Sequence, residues 1–165
     1  MRRSLRNLRL DRIDRAILTI LQEAGRIPNS ELAERVHLSE SACLRRVRAL
    51  EEAGVISGYT AIVEQAASGR AESVFVRVTL EKQTEQILSD FETAVRGVEQ
   101  VMECWLMSGE ADYLLRVIVS GAGDYEMLHN KVLTRLPGVA RVHSSFALRT
   151  VMKRSHVPIF EGEPE

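Results

Sequence analysis

The 165-residue sequence has few cysteines, few aromatic residues and no long apolar run. Its two cysteines, Cys43 and Cys104, lie 61 positions apart and match no metal-binding or redox motif. Two unpaired thiols favour a reducing compartment, so we expect a cytoplasmic protein. No apolar run approaches the roughly 18–20 residues of a membrane span, so we expect no membrane association. The N-terminal stretch MRRSLRNLRL also lacks the continuous apolar segment of a secretion signal.

Lysine is absent from residues 1–58, and charge is distributed unevenly along the chain. Residues 1–58 carry 11 arginines and 8 acids, a net charge of +3, whereas residues 59–165 carry 11 basic and 15 acidic residues, a net charge of −4. The planar guanidinium suits contacts with phosphates and guanines, so the basic first segment indicates binding to nucleic acid. Four arginines precede the first predicted helix and form either an arm over phosphates or a solubilising tail: Arg2, Arg3, Arg6 and Arg9.

Apolar residues at three- and four-residue steps predict a first helix that begins after the N-cap Asp11. We expect Ser30 to cap a short second helix and Ser39 to cap a third, which ends near Gly54. Three helices joined by tight turns, with a short second helix, are typical of a helix-turn-helix unit. His37 lies in the turn and is expected to adopt a left-handed conformation, at a cost on the order of 1 kcal/mol.

A helical wheel divides the third helix into an apolar side and a polar side. The predicted inward residues are Cys43, Leu44, Val47 and Leu50. The predicted outward residues are Ser41, Arg45, Arg48, Ala49 and Glu52, with Arg46 at the flank. Small residues such as Ser41 and Ala42 let a helix approach a groove, while arginines reach base edges and phosphates. A solvated basic face is the alternative, and the helix-turn-helix arrangement favours DNA binding.

Residues 55–65 (VISGYTAIVEQ) predict a short strand, and residues 65–72 predict a linker or loop. From residue 73 the pattern predicts strand, helix, strand, strand, helix and strand. This βαββαβ order is typical of a ferredoxin-like sandwich, in which two helices cover one face of a four-stranded antiparallel sheet. The predicted α+β chain therefore has a DNA-binding domain at 1–58, a strand and linker at 59–72, and a second domain at 73–165. The uncovered sheet face predicts a homodimer.

The loop MSGEADY (107–113) is the best candidate for binding a small molecule. Its hydroxyl, exposed backbone and two carboxylates can hold the ammonium and carboxylate groups of an amino acid, although a plain polar hairpin is the alternative. No histidine or cysteine group has zinc spacing, and no catalytic triad order can be recognised. The segment SGAGDY (120–125) has Glu126 where a dinucleotide-binding loop needs its third glycine. We therefore predict no enzyme activity, cofactor or metal.

Four segments resemble the Lrp/AsnC family of prokaryotic transcription factors over nearly the full chain. They are LDRIDRAILTILQEAGRIPNSELAERVHLS, CLRRVRALEEAGVISGYTA, ECWLMSGEADYLLRV and LTRLPGVARVHSSFAL. The resemblance implies a winged helix-turn-helix joined by a strand to a ligand-sensing domain. It also implies dimers that assemble into tetramers or octamers, with an amino-acid effector bound between dimers. Three further segments are most similar to the branch that controls branched-chain amino-acid catabolism.

The resemblance also implies roles for individual residues. Those expected to meet double-stranded DNA are Ser39, Ser41, Ala42, Arg45 and Arg46, to which the helical wheel adds Arg48. Those expected to line the effector site are Ser108, Gly109, Glu110, Ala111, Asp112, Thr134, Ser145 and Phe146. Two rival functions remain: an enzyme similar to the siroheme decarboxylases, which share this scaffold, and an architectural DNA-binding protein without an effector.

Overall fold

The computed structural model describes residues 10–159. Within them, residues 10–62 and 152–159 form one compact unit, and Val63–Val151 forms a second. The arginines predicted to form an N-terminal arm lie outside the described residues. In the described part of the chain, no helix is long and apolar enough to cross a membrane.

The first unit contains three helices, α1 (Arg12–Glu23), α2 (Asn29–Arg35) and α3 (Glu40–Glu52). As predicted, Asp11 caps α1: its Oδ1 accepts a 2.8 Å hydrogen bond from the backbone of Asp14, whose own carboxylate accepts from the Asp11 backbone. Ser39 caps α3, also as predicted. The predicted Ser30 cap is wrong. Pro28 already has the extended backbone of an N-cap residue (φ −61°, ψ 146°), so α2 begins at Asn29.

All three helices contribute to the core of the first unit. Its buried residues are Ile17, Leu18, Leu32, Ala33, Val36, Cys43 and Leu50. The prediction that Leu44 points inward is wrong, because 38% of this residue is exposed. Cys43 and Leu50 occupy the buried stripe of α3, and the rotation of about 100° from Cys43 to the next residue carries Leu44 onto the surface.

The C-terminal residues 152–159 pack on the first unit, although the predicted boundaries group them with the second domain. Ile159 is partly buried against the helical core. Gln22 of α1 holds the backbone of Val157 on both sides: its Nε2 donates to the carbonyl at 3.0 Å, and its Oε1 accepts from the N–H at 2.7 Å. The chain therefore passes twice between the two units, at Ile62–Val63 and at Val151–Met152.

The strand predicted within residues 55–65 is wrong for the single chain, since residues 57–64 form no regular element in the described structure. A strand needs a neighbour to accept and donate its backbone hydrogen bonds, and residues 10–159 offer none there. Three apolar side chains of the segment are consequently exposed: Tyr59, Ile62 and Val63.

The second unit has the predicted βαββαβ order. Its elements are β1 (Glu72–Leu80), α4 (Glu85–Val95), β2 (Val101–Leu106), β3 (Tyr113–Val119), α5 (Ala122–Lys131) and β4 (Val139–Phe146). The strands are antiparallel and lie in the order β2-β3-β1-β4, so the predicted fold class is confirmed. Thr84 caps α4, as its hydroxyl accepts from the backbone of Ile87 at 3.4 Å.

The two faces of the sheet differ in burial. Val74, Val76 and Val78 of β1 are fully buried against side chains of α4 and α5. The residues between them point to the other face, which no element of the second unit covers; we call it the open sheet face. The strand register places these residues on it: Trp105, Leu114, Arg77 and His143 in one row, and Glu103, Arg116, Phe75 and Ser145 in the next.

Candidate functional site

The outward face of α3 carries the residues predicted to meet DNA. A shallow depression on this face is lined by Ser41, Leu44, Arg45, Arg48, Ala49 and Glu52. Arg45 and Arg48 are exposed, and neither forms an ion pair with any residue that the structure describes. Ser41 and Ala49 are small and lie between the longer side chains. The face can therefore approach a groove closely while presenting two guanidinium groups and one aliphatic side chain.

Ser39 and Ala42 lie at the start of α3. The Ser39 hydroxyl accepts a 3.3 Å hydrogen bond from the backbone of Ala42 and lies 3.3 Å from the hydroxyl of Ser41. These residues surround the N-terminus of the helix, where the helix dipole favours an anion such as a phosphate. Ala42 is half-buried, whereas both serines are exposed. Ser39 therefore already caps α3 through a hydrogen bond within the protein.

Arg46 lies apart from the other arginines of α3. Its Nη1 is 2.7 Å from Asp14 Oδ1 and 2.7 Å from Asp11 Oδ2, both at the start of α1. Hydrogen bonds with the two carboxylates raise the pKa of Arg46. The backbone N–H of Asp14 and then Arg46 itself lower the pKa of Asp11. Arg46 therefore joins α3 to α1, a link across more than 30 residues for which helix periodicity gives no signal. Its predicted contact with DNA stays a prediction.

The loop between β2 and β3 is anchored by Asp112. The Asp112 side chain is buried, and its Oδ2 accepts a 2.7 Å hydrogen bond from the Leu80 backbone while its Oδ1 accepts one of 2.5 Å from Gln83. Its backbone N–H donates to Val78 at 2.9 Å. The predicted carboxylate is thus already bonded within the protein. Of the two acids in the loop, Glu110 is the exposed one.

The other residues predicted to bind the effector are not gathered at this loop. Ser145 points to the open sheet face, whereas Phe146 packs edge-on against Tyr125 of α5, with ring centroids 5.2 Å apart. Both lie beside Val74 and Phe75, at the opposite end of β1 from the loop. Val74 and Leu80 are six positions apart along the strand, a span of about 20 Å. The hydroxyl of Thr134 donates to backbone carbonyls at the end of α5.

The two cysteines are free thiols in different surroundings. Cys43 is buried in the first unit and Cys104 is exposed on β2. Burial raises the pKa of the Cys43 thiol, and partial desolvation together with the nearby Glu92 carboxylate raises the pKa of the Cys104 thiol, so both are poorer nucleophiles at neutral pH. Among residues 10–159, no three side chains of histidine, cysteine, aspartate or glutamate are grouped as metal ligands.

Comparison with known proteins identifies the family. The sequence profile of the Lrp/AsnC ligand binding domain matches residues 73–157. A curated relative, the Bkd operon transcriptional regulator of Pseudomonas aeruginosa, is 47% identical over 150 residues, which cover 91% of this chain and 98% of that protein. The chain belongs to the Lrp/AsnC family. A winged helix-turn-helix DNA-binding profile matches residues 10–57, so this Lrp/AsnC protein is a DNA-binding transcriptional regulator with a ligand-binding domain.

Two further relatives, one compared by sequence and one by structure, support the same family and fold. The leucine-responsive regulatory protein of Escherichia coli is 42% identical over 150 residues, which cover 91% of this chain and 92% of that protein. A crystal structure of a transcriptional regulator from Neisseria meningitidis in complex with L-methionine superposes with a TM-score of 0.86 at 35% identity, covering 91% of this chain and 97% of that chain. The predicted fold and family are confirmed.

Proposed function

We propose that this Lrp/AsnC protein regulates genes of amino-acid metabolism in the cytoplasm, and that a bound amino acid changes its assembly or its affinity for DNA. The outward face of α3 is the observation that carries the proposal, because Arg45 and Arg48 project from it beside small residues and have no intrachain ion pair within residues 10–159. In a dimer, two such helices enter successive major grooves about 34 Å apart.

The contribution of Arg45 is tested by gel-shift titration on a site selected from random duplexes. We expect Arg45→Ala to weaken specific binding by about 1–3 kcal/mol. Arg96→Ala is the matched control, since Arg96 is an exposed arginine immediately after α4, in the second unit. Unchanged affinity of Arg45→Ala would remove this arginine from the interface.

The open sheet face supports assembly as a homodimer. Phe75 and Trp105 are 38% and 42% exposed there, beside Leu114 and an ion pair in which Arg116 Nη2 lies 2.8 Å from Glu103. A face of this kind is stabilised when a second copy covers it. We expect light scattering to give the mass of a dimer or a larger multiple, and Trp105→Glu to shift the population towards monomer. A monomeric wild-type protein would refute this part of the proposal.

We propose that the effector site combines parts of more than one chain. The loop residues Ser108–Asp112 lie about 20 Å from Ser145 and Phe146 along one strand, so a single cleft that contains both groups needs a second chain. From the resemblance to the family, we expect such a site to lie between dimers. A branched-chain amino acid is the first candidate, because one relative is named for the Bkd operon and another for its response to leucine.

A thermal-shift screen of the twenty amino acids identifies the effector, since a ligand that binds only the folded protein raises its melting temperature by mass action. We expect Glu110→Gln to lower the shift produced by the best ligand. Thr134→Ala tests a second residue of the predicted effector site by the same measurement. If none of the twenty amino acids raises the melting temperature, the proposed effector class is wrong.

We propose that the protein has no enzymatic activity. The rival resembling a siroheme decarboxylase would need histidines around a large cavity. His37 lies in the helix-turn-helix turn, His129 on α5, His143 on β4 and His156 near the C-terminus, so the four are on separate elements. A change in the visible spectrum on mixing with a haem precursor would favour the enzyme. Binding that depends strongly on salt but not on sequence would favour an architectural protein.

A further inference from the structure

Leu44 is an exposed aliphatic side chain within the polar face of α3. It exposes 38% of its surface, and it lines the same depression as Ser41, Arg45 and Arg48. The buried stripe of α3 is filled by its neighbours Cys43 and Leu50, which are 0% and 3% exposed. The core of the first unit therefore does not account for the position of Leu44.

The position of Leu44 is well defined. Ser39 caps α3 five residues before Leu44, and Arg46 joins the helix to α1 two residues after it. Isolated exposed leucines are common on protein surfaces. This one lines the same depression as Arg45 and Arg48, on the helix face that is proposed to enter the major groove. Its side chain is consequently presented to the base edges whenever Arg45 and Arg48 reach them.

The major groove offers an aliphatic side chain one group to recognise. Guanine, cytosine and adenine present hydrogen-bond donors and acceptors there, whereas thymine also presents its C5-methyl group. An aliphatic contact with that methyl group removes apolar surface from water on both partners. Unmethylated cytosine at the same position would leave a polar amino group against Leu44.

We propose that Leu44 determines specificity by contacting the C5-methyl group of one thymine in each half-site. The proposal rests on the proposed DNA-binding function of α3. Leu44 and Arg48 are separated by four residues, or about 6 Å along the helix, which is about two base-pair steps. The thymine therefore lies within about two base pairs of the bases or phosphates that Arg48 contacts.

Replacement of thymine by deoxyuridine tests the proposal, because it removes only the methyl group. A site is selected from random duplexes with the wild-type full-length chain, and each symmetric pair of thymines is then replaced in turn. For one pair, we expect the wild-type protein to lose affinity about fourfold per half-site, the effect of one buried methyl group. Leu44→Ala should bind the thymine and deoxyuridine duplexes equally at that pair.

Met127→Ala is the matched control, because Met127 is 55% exposed on α5 of the second unit. It should keep the wild-type sensitivity to deoxyuridine. The proposal is overturned if Leu44→Ala retains that sensitivity, or if no thymine in the site shows a methyl effect with the wild-type protein. If the selection enriches no sequence at all, the proposed sequence-specific function fails, and the proposal for Leu44 fails with it. A circular dichroism spectrum of Leu44→Ala that matches wild type would establish that the variant is folded.

Discussion

Arg46 and Asp14, on two different helices, are joined by a contact of 2.7 Å between Nη1 and Oδ1. Asp14 also belongs to the capping box at the start of α1, where it pairs with Asp11. One guanidinium therefore connects the N-terminus of α1 to the middle of α3. This link holds the outward face of α3 at a defined angle to the rest of the helix-turn-helix unit.

Arg46→Ala should lower the stability of the first unit by about 0.5–1 kcal/mol, since the pair is partly exposed. Urea unfolding of Arg46→Ala, Asp14→Asn and the double variant measures the coupling between the two side chains. Arg45→Ala is the control and should leave stability unchanged. Additive effects of the two single changes would mean that the pair contributes nothing to stability.

The pKa of Asp11 leads to a prediction about pH. The backbone of Asp14 and the guanidinium of Arg46 lower this pKa below its ordinary value of 3.8. The stabilisation is therefore complete above about pH 4 and is lost as the pH falls through the folded-state value. Asp11→Asn keeps a good N-cap residue but removes the charge. The variant should be less stable than wild type at pH 7, and the difference should diminish as the pH falls below about 4. A constant difference over this range would contradict the assignment.

His37 has a left-handed backbone, with φ of 56°, as the turn pattern predicts. A side chain in this region is strained, whereas glycine is not. We expect His37→Gly to raise the unfolding free energy by about 0.5–1 kcal/mol, the relief of strain being partly offset by the flexibility of glycine in the unfolded chain. His37→Ala should be less stable than wild type, because histidine tolerates this conformation better than alanine. Equal stabilities of the three proteins would show that the turn relaxes.

Gly138 precedes β4 and lies against α4. It has a φ of +70°, and a Cβ added there would lie 2.5 Å from Cγ2 of Ile87. Gly69 is the matched control, because its φ is +75° but a Cβ would meet nothing within 4 Å. Gly69→Ala should cost about 1–2 kcal/mol from strain alone, and Gly138→Ala should cost about 1–3 kcal/mol more. Thermal or urea unfolding gives both values, and equal losses would show that Ile87 moves aside.

Asp112 leads to a prediction that separates stability from ligand binding. Asp112→Ala leaves the backbone of Leu80 and the amide of Gln83 without their carboxylate, and should cost about 1–3 kcal/mol. Gln83→Ala removes only one of these bonds and should cost less. Glu110→Ala should leave stability unchanged, because Glu110 is exposed. Calorimetric titration with the effector then shows whether Asp112 also contributes to binding. Wild-type stability of Asp112→Ala would contradict its anchoring role.

Local interactions were the part of this structure that the sequence predicts well. Asp11, Ser39 and Thr84 cap helices through bonds to residues three positions away, and the strands follow from simple alternation. Apart from the Ser30 cap, which Pro28 pre-empts, the failures depend on distant residues. Leu44 was predicted to be buried, because a helical wheel does not give the width of the buried stripe on α3. The strand expected within residues 55–65 has no neighbouring strand among the residues that the structure describes.

The candidate site divides in the same way. Periodicity alone places Arg45 and Arg48 on the outward face of α3. The partners of Arg46 lie 32 and 35 residues away along the sequence. The bonds of Asp112 to Leu80 and Gln83 cross between separate elements of the second unit. Such contacts depend on the packing of helices and strands, so residue spacing gave no sign that these two side chains are already engaged.

The return of residues 152–159 to the helical unit affects how the protein can be divided for experiments. A fragment cut within the linker, such as 1–62, would leave Gln22 without the backbone of Val157 and would uncover the apolar surface beneath Ile159. Dissection of this regulator is therefore better done with point substitutions than by expressing an isolated N-terminal half. A proteolytic cut near Val151 would separate residues 152–159 from the second unit, although these residues pack on the helical core of the first.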